Sequence, residues 1–448
     1  MHYNLPKQYK YDKSLFLRGL PIWILATIFY FFDNLLNISP SVMKPELSIA
    51  FNLTAADLGL LSSCYSWAYG LMQIPAGLLM DKFGPRRLFI IASLLCSLGS
   101  FIFATANSLQ VAAISRILIG IGSSFAVVGC SKIASIWFSP NRFALFIGLM
   151  VSIGMLGAAF GLSTVNYILQ MCNWRQTMYG SGVIALLLSF SMWLIIKDYP
   201  YNYNPHNINN SFNNDVVDLK FASKISNKIP LLLGLKQIIT STQVWVAAIY
   251  AGLMFVPTLA FGGLWGIPYL VEGHGLSREL SGFLVSLIFI GWVFGGPIYG
   301  IISDYLKLRN LPMYVANLAT LIIVVMLIYI QDLSIPITSG LMFLLGFFSS
   351  GFILAFAVTK ESHDHSLSGT AIGFINTINT FGGAGLQWLI GKILDVNTTD
   401  LTITTVTITK ERIFSYTDYK NALISIPICL IIALIVVFRL KEIGRAHV

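Results

Sequence analysis

Two ionisable residues stand deep inside apolar runs of this chain: Asp33 in a run over 15–38 and Arg116 in one over 109–137. A charge surrounded by hydrocarbon is costly, so such residues default to carrying a proton or meeting a charged ligand. If the two runs are neighbours, a paired Asp33 and Arg116 offset each other's desolvation. Protonating Asp33 would then release Arg116 toward a ligand carboxylate, which makes the two candidates for proton coupling. A static ion pair is the competing reading. Lys132, nearer the end of its run, either attracts an anion or snorkels to the interface.

A second set of candidates is uncharged. Tyr30, Asn34 and Asn37 share one helical face, as do Tyr65, Tyr69 and Gln73. Asn166, Trp265, Tyr269, Asn376, Asn379 and Gln387 lie in further apolar runs. Amides and hydroxyls in a mostly apolar pocket suit a small zwitterion or nucleoside. Interhelical hydrogen bonding is the alternative use of each amide, and packing or an interfacial belt that of each aromatic. Other chemistry finds no residues. His363-Asp364-His365 has no further ligands near it, so no metal is expected. There is no Gly-rich phosphate loop ending in Lys-Ser or Lys-Thr and no nucleophile–base pair. Neither a cofactor nor an enzyme is expected.

Composition sets the elements that must hold these residues. Of 448 residues, 56% are hydrophobic and 10% charged, against about 25% charged in soluble domains. So few charges cannot coat soluble domains. Runs of about 20 apolar residues cross a bilayer as helices. Twelve are predicted: 15–38, 56–80, 86–106, 109–137, 142–170, 176–197, 243–271, 280–303, 312–331, 335–360, 367–394 and 418–440. The fold class is an all-α membrane protein embedded in lipid. The first run has no cleavage site and is read as an uncleaved helix. In span five, Gly148, Gly154, Gly157 and Gly161 would let helices approach closely. Lys and Arg divide eighteen against seven between alternate sides, which puts both termini in the cytoplasm. The +9 net charge is then a topology signal, and nucleic acid is not an expected partner.

Residues 198–242 are polar and Asn-rich, a linker between a bundle over 1–197 and one over 243–442. The tail 443–448 matches the translation of a common sequencing-library adapter and is expected to be an artefact, with an ordinary basic tail as the alternative. The halves echo each other. Gly77-Leu-Leu-Met-Asp81 ends the second run and Gly300-Ile-Ile-Ser-Asp304 the eighth, each with a proline just upstream, Pro75 and Pro297. Two pseudo-symmetric six-helix bundles are the build of many secondary transporters.

The segment Gly77–Arg87, with Asp81, Lys82, Gly84, Arg86 and Arg87 at set spacing, resembles the loop signature of the major facilitator superfamily. Arg116-Ile-Leu-Ile-Gly120-Ile-Gly122 resembles that family's second motif. The resemblance implies the major facilitator fold and a gate. In it Asp81 meets the start of span eleven near Ser368 and Gly369, and Asp304 the start of span five near Asn141, each at a positive helix end. Gly84 would allow the tight turn. Ser39–Met43, Trp137–Ala144, Gly263–Leu270 and Gly382-Gly383-Ala384 with Gln387 are similar to a bacterial branch that includes phagosomal transporters of amino acids or nucleosides. Members of that branch often carry Arg at the position of Asn37, so a role resting on that arginine does not transfer. The implied function is proton-coupled uptake of a small polar nutrient (amino acid, nucleoside or small organic acid) by a monomer in the bacterial inner membrane. The rivals are an exporter of a siderophore or drug and a transporter-like sensor. The short 198–242 insertion offers little room for a sensor's output domain.

Overall fold

The computed structural model describes residues 13–138, 140–198, 237–361, 368–397 and 413–440, and among these the chain is helical with no strand. The first half holds α1 (Lys13–Val42), α2 (Lys44–Phe51), α3 (Ala55–Phe83), α4 (Pro85–Thr105), α5 (Leu109–Ser123), α6 (Phe125–Trp137), α7 (Pro140–Met171) and α8 (Trp174–Ile195). After the linker, α9 (Thr242–Val256) passes through a wider π-helical stretch (Pro257–Trp265), α10 (Gly266–Pro268) and a second π-helical turn (Tyr269–Gly273). Then come α11 (Arg278–Leu306), α12 (Asn310–Tyr329), α13 (Ile335–Ser349), a 3₁₀ turn (Ser350–Ile353), α14 (Leu354–Glu361), α15 (Ser368–Asn397), α16 (Tyr416–Leu423) and α17 (Ser425–Val437).

Every predicted run coincides with helix, with ends that differ by a few residues in either direction. Capping explains several starts. Thr54 and Asp57, Asn173 and Gln176, and Ser415 and Asp418 form reciprocal capping boxes. Helix α2 is an element the apolar pattern does not show. It opens with Pro45 in its first turn, ends on left-handed Asn52 and bends 110° from α3. Ten described helices are long and apolar enough to cross a bilayer; α3 qualifies only jointly with α2, and α15 is not among them. These two pack on each other across the halves, and Ser63, Asn379 and Gln387 on them are buried.

The duplication is visible in packing. Gly120 of α5 lies so close to the Tyr65 carbonyl of α3 that an added Cβ would overlap it, and Gly346 of α13 sits likewise on the Ile288 carbonyl of α11. The step from 65 to 288 equals that from 81 to 304, 223 residues. Gly-x-x-Ser-Ser recurs at 120–124 and 346–350, and both helices break there, at Ser124 and at the 3₁₀ turn. Gly154, Gly157 and Gly161 bring α7 against Tyr30, Phe31 and Leu35 of α1, as expected. A Cβ added at Gly148 would meet nothing within 4 Å, so it is not a packing glycine. The tail 443–448 and most of the linker lie outside the described residues.

Candidate functional site

Helix α1 continues through Pro40, which has no N–H to give the Leu36 carbonyl. Ser39 Oγ donates to that carbonyl at 2.9 Å and Arg116 Nη1 at 2.8 Å, while Arg116 Nη2 donates to the Asn37 carbonyl at 3.0 Å. Arg116 is fully buried, its guanidinium 4.7 Å above the Tyr65 ring. The Tyr65 hydroxyl donates to Asp33 Oδ1 at 2.5 Å, and Ser123 at the end of α5 also lies beside that carboxyl. The expected Asp33–Arg116 ion pair is therefore not formed; Tyr65 stands between the two. The carbonyls around Pro40 are fixed acceptors, and charge-assisted bonds to them hold the guanidinium. Asp33 and Arg116 thus have separate hydrogen-bond partners.

Tyr30, Tyr69 and Gln73 gather beside this group. Tyr65 and Tyr69 stack with ring centroids 6.1 Å apart, and Tyr30 and Gln73 neighbour the Tyr69 hydroxyl. Asn34 turns its amide back onto the Tyr30 carbonyl at 2.8 Å, and Asn37 contributes its carbonyl to Arg116. Lys132 is partly buried in α6, and Asn166 is buried in α7. In the second half, Asn379 and Gln387 are buried in α15 and Asn376 is half-buried. Three predicted ligand-facing residues are instead tied into their own half. Trp265 Nε1 donates to the Gln387 carbonyl at 2.9 Å, Tyr269 to the Leu327 carbonyl at 2.8 Å, and Gln387 Nε2 to the Leu259 carbonyl at 2.8 Å. Gln73 Nε2, Asn379 Oδ1 and Gln387 Oε1 are buried without a hydrogen-bond partner.

The end of the molecule away from the linker is clasped by charges that sequence reasoning did not single out. Lys44, just after α1, is ion-paired with Glu272 across the halves. Glu272 Oε2 also accepts from the Tyr419 hydroxyl at 2.9 Å and the Phe414 N–H at 3.1 Å. Arg278 holds Glu46 through two bonds, 2.8 and 2.9 Å. Asp395 accepts from the Ala55 and Ala56 N–H groups at 3.0 and 2.7 Å, where the helix dipole favours an anion. The only signal in the sequence was an acid and a base in each of two loops meant to face one another. Among the described residues, no cluster of His, Cys, Asp and Glu could hold a metal.

The Major Facilitator Superfamily model matches residues 22–385. The chain belongs to the Major Facilitator Superfamily. It is similar to a probable hexose phosphate transport protein of Chlamydia pneumoniae, 23% identical with 87% of each chain covered. It is also similar to the membrane sensor protein UhpC of Salmonella typhimurium, 22% identical with 88% of each covered. A solved bacterial homologue of the human lysosomal transporter Spinster, inward-facing and unoccupied, shares the fold with a TM-score of 0.75 at 15% identity, covering 96% of this chain and 97% of that one. This superfamily member is thus a multi-pass membrane transporter and not an enzyme.

The superfamily's signature loop has a partner the sequence did not reveal. Gly84 adopts φ +80°, and an added Cβ would stand 2.5 Å from Asp198 Oδ1. That carboxylate accepts from the Arg86 N–H at 2.8 Å, and Arg86 Nη2 donates to the Trp193 carbonyl at 2.9 Å. Gly84 therefore serves both the turn and the approach of Asp198. Lys82 and Arg87 are exposed. A Cβ added at Gly77 or Gly300 would meet nothing within 4 Å. The side chains of Asp81, Asp304, Asn141 and Ser368 and the surroundings of Gly369, and with them the expected gate contacts, lie outside the described residues.

Proposed function

We propose that this transporter imports a small polar nutrient (amino acid, nucleoside or small organic acid) across the bacterial inner membrane, driven by protons. Two bundles, 1–197 and 243–442, rock about a central site, with both termini in the cytoplasm and the chain acting as a monomer. The observation that carries the reading is Asp33: a carboxyl buried in α1, held by the Tyr65 hydroxyl, with Arg116 bonded elsewhere. Proton uptake there removes a charge from a setting where charge is costly. Tyr65 is the group placed to sense it. Unpartnered amide atoms on Gln73 and Asn379 suit a ligand with oriented hydrogen-bonding groups.

The test begins with thermal stabilisation of the purified protein by amino acids, nucleosides and organic acids. Hits are then followed into proteoliposomes under an imposed proton gradient. Asp33→Asn is expected to abolish accumulation and spare exchange. Undiminished accumulation in that variant would overturn the coupling. The sensor relative supports a second reading, in which a ligand binds without being carried; stabilisation with no uptake would select it.

A further inference from the structure

The halves meet along two seams, α3 against α15 and α7 against α11, and the 223-residue repeat makes these seams counterparts. Gly59 of α3 corresponds to Gly282 of α11, and Ser63 to Ser286. The counterparts behave differently. A Cβ added at Gly59 would stand 2.5 Å from the Gln387 carbonyl oxygen, whereas at Gly282 the nearest atom, the Leu162 carbonyl oxygen, is 3.8 Å away. Ser63 Oγ, shared with the Gly59 carbonyl of its own helix at 2.7 Å, also crosses the seam to the Ala384 carbonyl at 2.6 Å, whereas Ser286 Oγ bonds, among the described residues, only the Phe283 carbonyl of its own helix. Further along the first seam, Thr377 donates to the Gly70 carbonyl at 3.0 Å. The bonds that hold the start of α11 lie at its first turn. They are Arg278 on Glu46, with side chains 27% and 29% exposed, and Gln170 on Glu279.

Water readily replaces partly exposed ion pairs. Parting α3 from α15 instead strips buried hydrogen-bond partners and opens close packing. We propose that the end away from the linker opens by α11 moving off α7, with the α3–α15 seam as the pivot. The Lys44–Glu272 pair breaks in the same movement. This rests on the alternating-access reading above, but not on the coupling assigned to Asp33.

The test places spin-label pairs in full-length, cysteine-free protein in nanodiscs: Tyr167 with Phe283 across α7 and α11, and Ala56 with Val396 across α3 and α15. Tyr167, Phe283 and Val396 are exposed, so labels there leave the packing intact. In Arg278→Glu, which turns attraction into repulsion, the first distance distribution is expected to gain a longer component while the second is unchanged. Adding Glu46→Arg should return the first to its starting shape. If Arg278→Glu fails to fold, Arg278→Gln takes its place. Lengthening at both seams alike, at the α3–α15 seam first, or at neither overturns the proposal. The distances are read without substrate, so this result stands apart from the uptake measurements.

Discussion

At Arg116 a single side chain does two structural jobs, and that changes what its loss should do. It gives the Leu36 carbonyl the donor that Pro40 cannot, bonds the Asn37 carbonyl as well, and lies against Tyr65. Arg116→Ala should lower stability by about 3 kcal/mol, since it removes two charge-assisted bonds from buried carbonyls. Pro40→Ala in the same chain restores an N–H to the Leu36 carbonyl and should recover part of that loss. Thermal unfolding of the two single variants and the double variant measures the coupling. Tyr65→Phe separates structure from chemistry: the ring stays under Arg116 while Asp33 loses its hydroxyl. The pH profile of uptake should move, with stability changed by about 1 kcal/mol.

Helices meet where glycine lets them, and the tolerance of each glycine follows from what stands beside it. Gly346→Ala should cost about 1–3 kcal/mol, because the Ile288 backbone occupies the space a methyl needs. Gly77→Ala meets nothing within 4 Å and should be stability-neutral or gain up to about 1 kcal/mol; an equal loss in both variants would refute this packing. The turn after the second π-helical stretch adds a pH term. His274 is half-buried with Nε2 unpartnered, and burial lowers its pKa below the ordinary value despite the opposing Gln331 carbonyl and Asp332. The unfolded chain therefore binds the proton first. Stability should be full above about pH 6.5 and fall as pH drops toward the folded-state value. Melting temperatures from pH 7.5 to pH 5 should fall less steeply in His274→Gln than in the parent.

For the whole molecule, the charge clasp decides how firmly the two bundles are joined. Lys44 and Glu272 are 5% and 11% exposed, so removing one partner strands the other. Glu272→Gln should cost about 3–5 kcal/mol, read as a lowered melting temperature. The partly exposed Glu46→Gln should cost about 1 kcal/mol or less. The cations at this end illustrate what a charge count leaves out. Counting assigns Lys44, Arg175 and Arg278 to a minority side of the topology. In the fold, two of them join the halves, and Arg175 caps the Ala104 and Ala106 carbonyls at 2.8 and 2.7 Å.

Twelve apolar runs, the signature loop and the 223-residue repeat were legible because hydrophobic length and local spacing act along the chain and need no partner. The buried carboxyl at Asp33 was legible for the same reason: a charge inside an apolar run stands out. Its partner was not. Arg116 was expected to neutralise it, yet the Leu36 and Asn37 carbonyls beside Pro40 hold the guanidinium, and Tyr65 of another helix took the place beside Asp33. The clasp of Lys44, Glu46, Glu272 and Arg278, the seating of Asp198 on Gly84, and the difference between counterpart seams depend on which helices touch. Side-chain partners separated by more than a hundred residues are fixed by packing, and hydropathy along one segment carries no information about them.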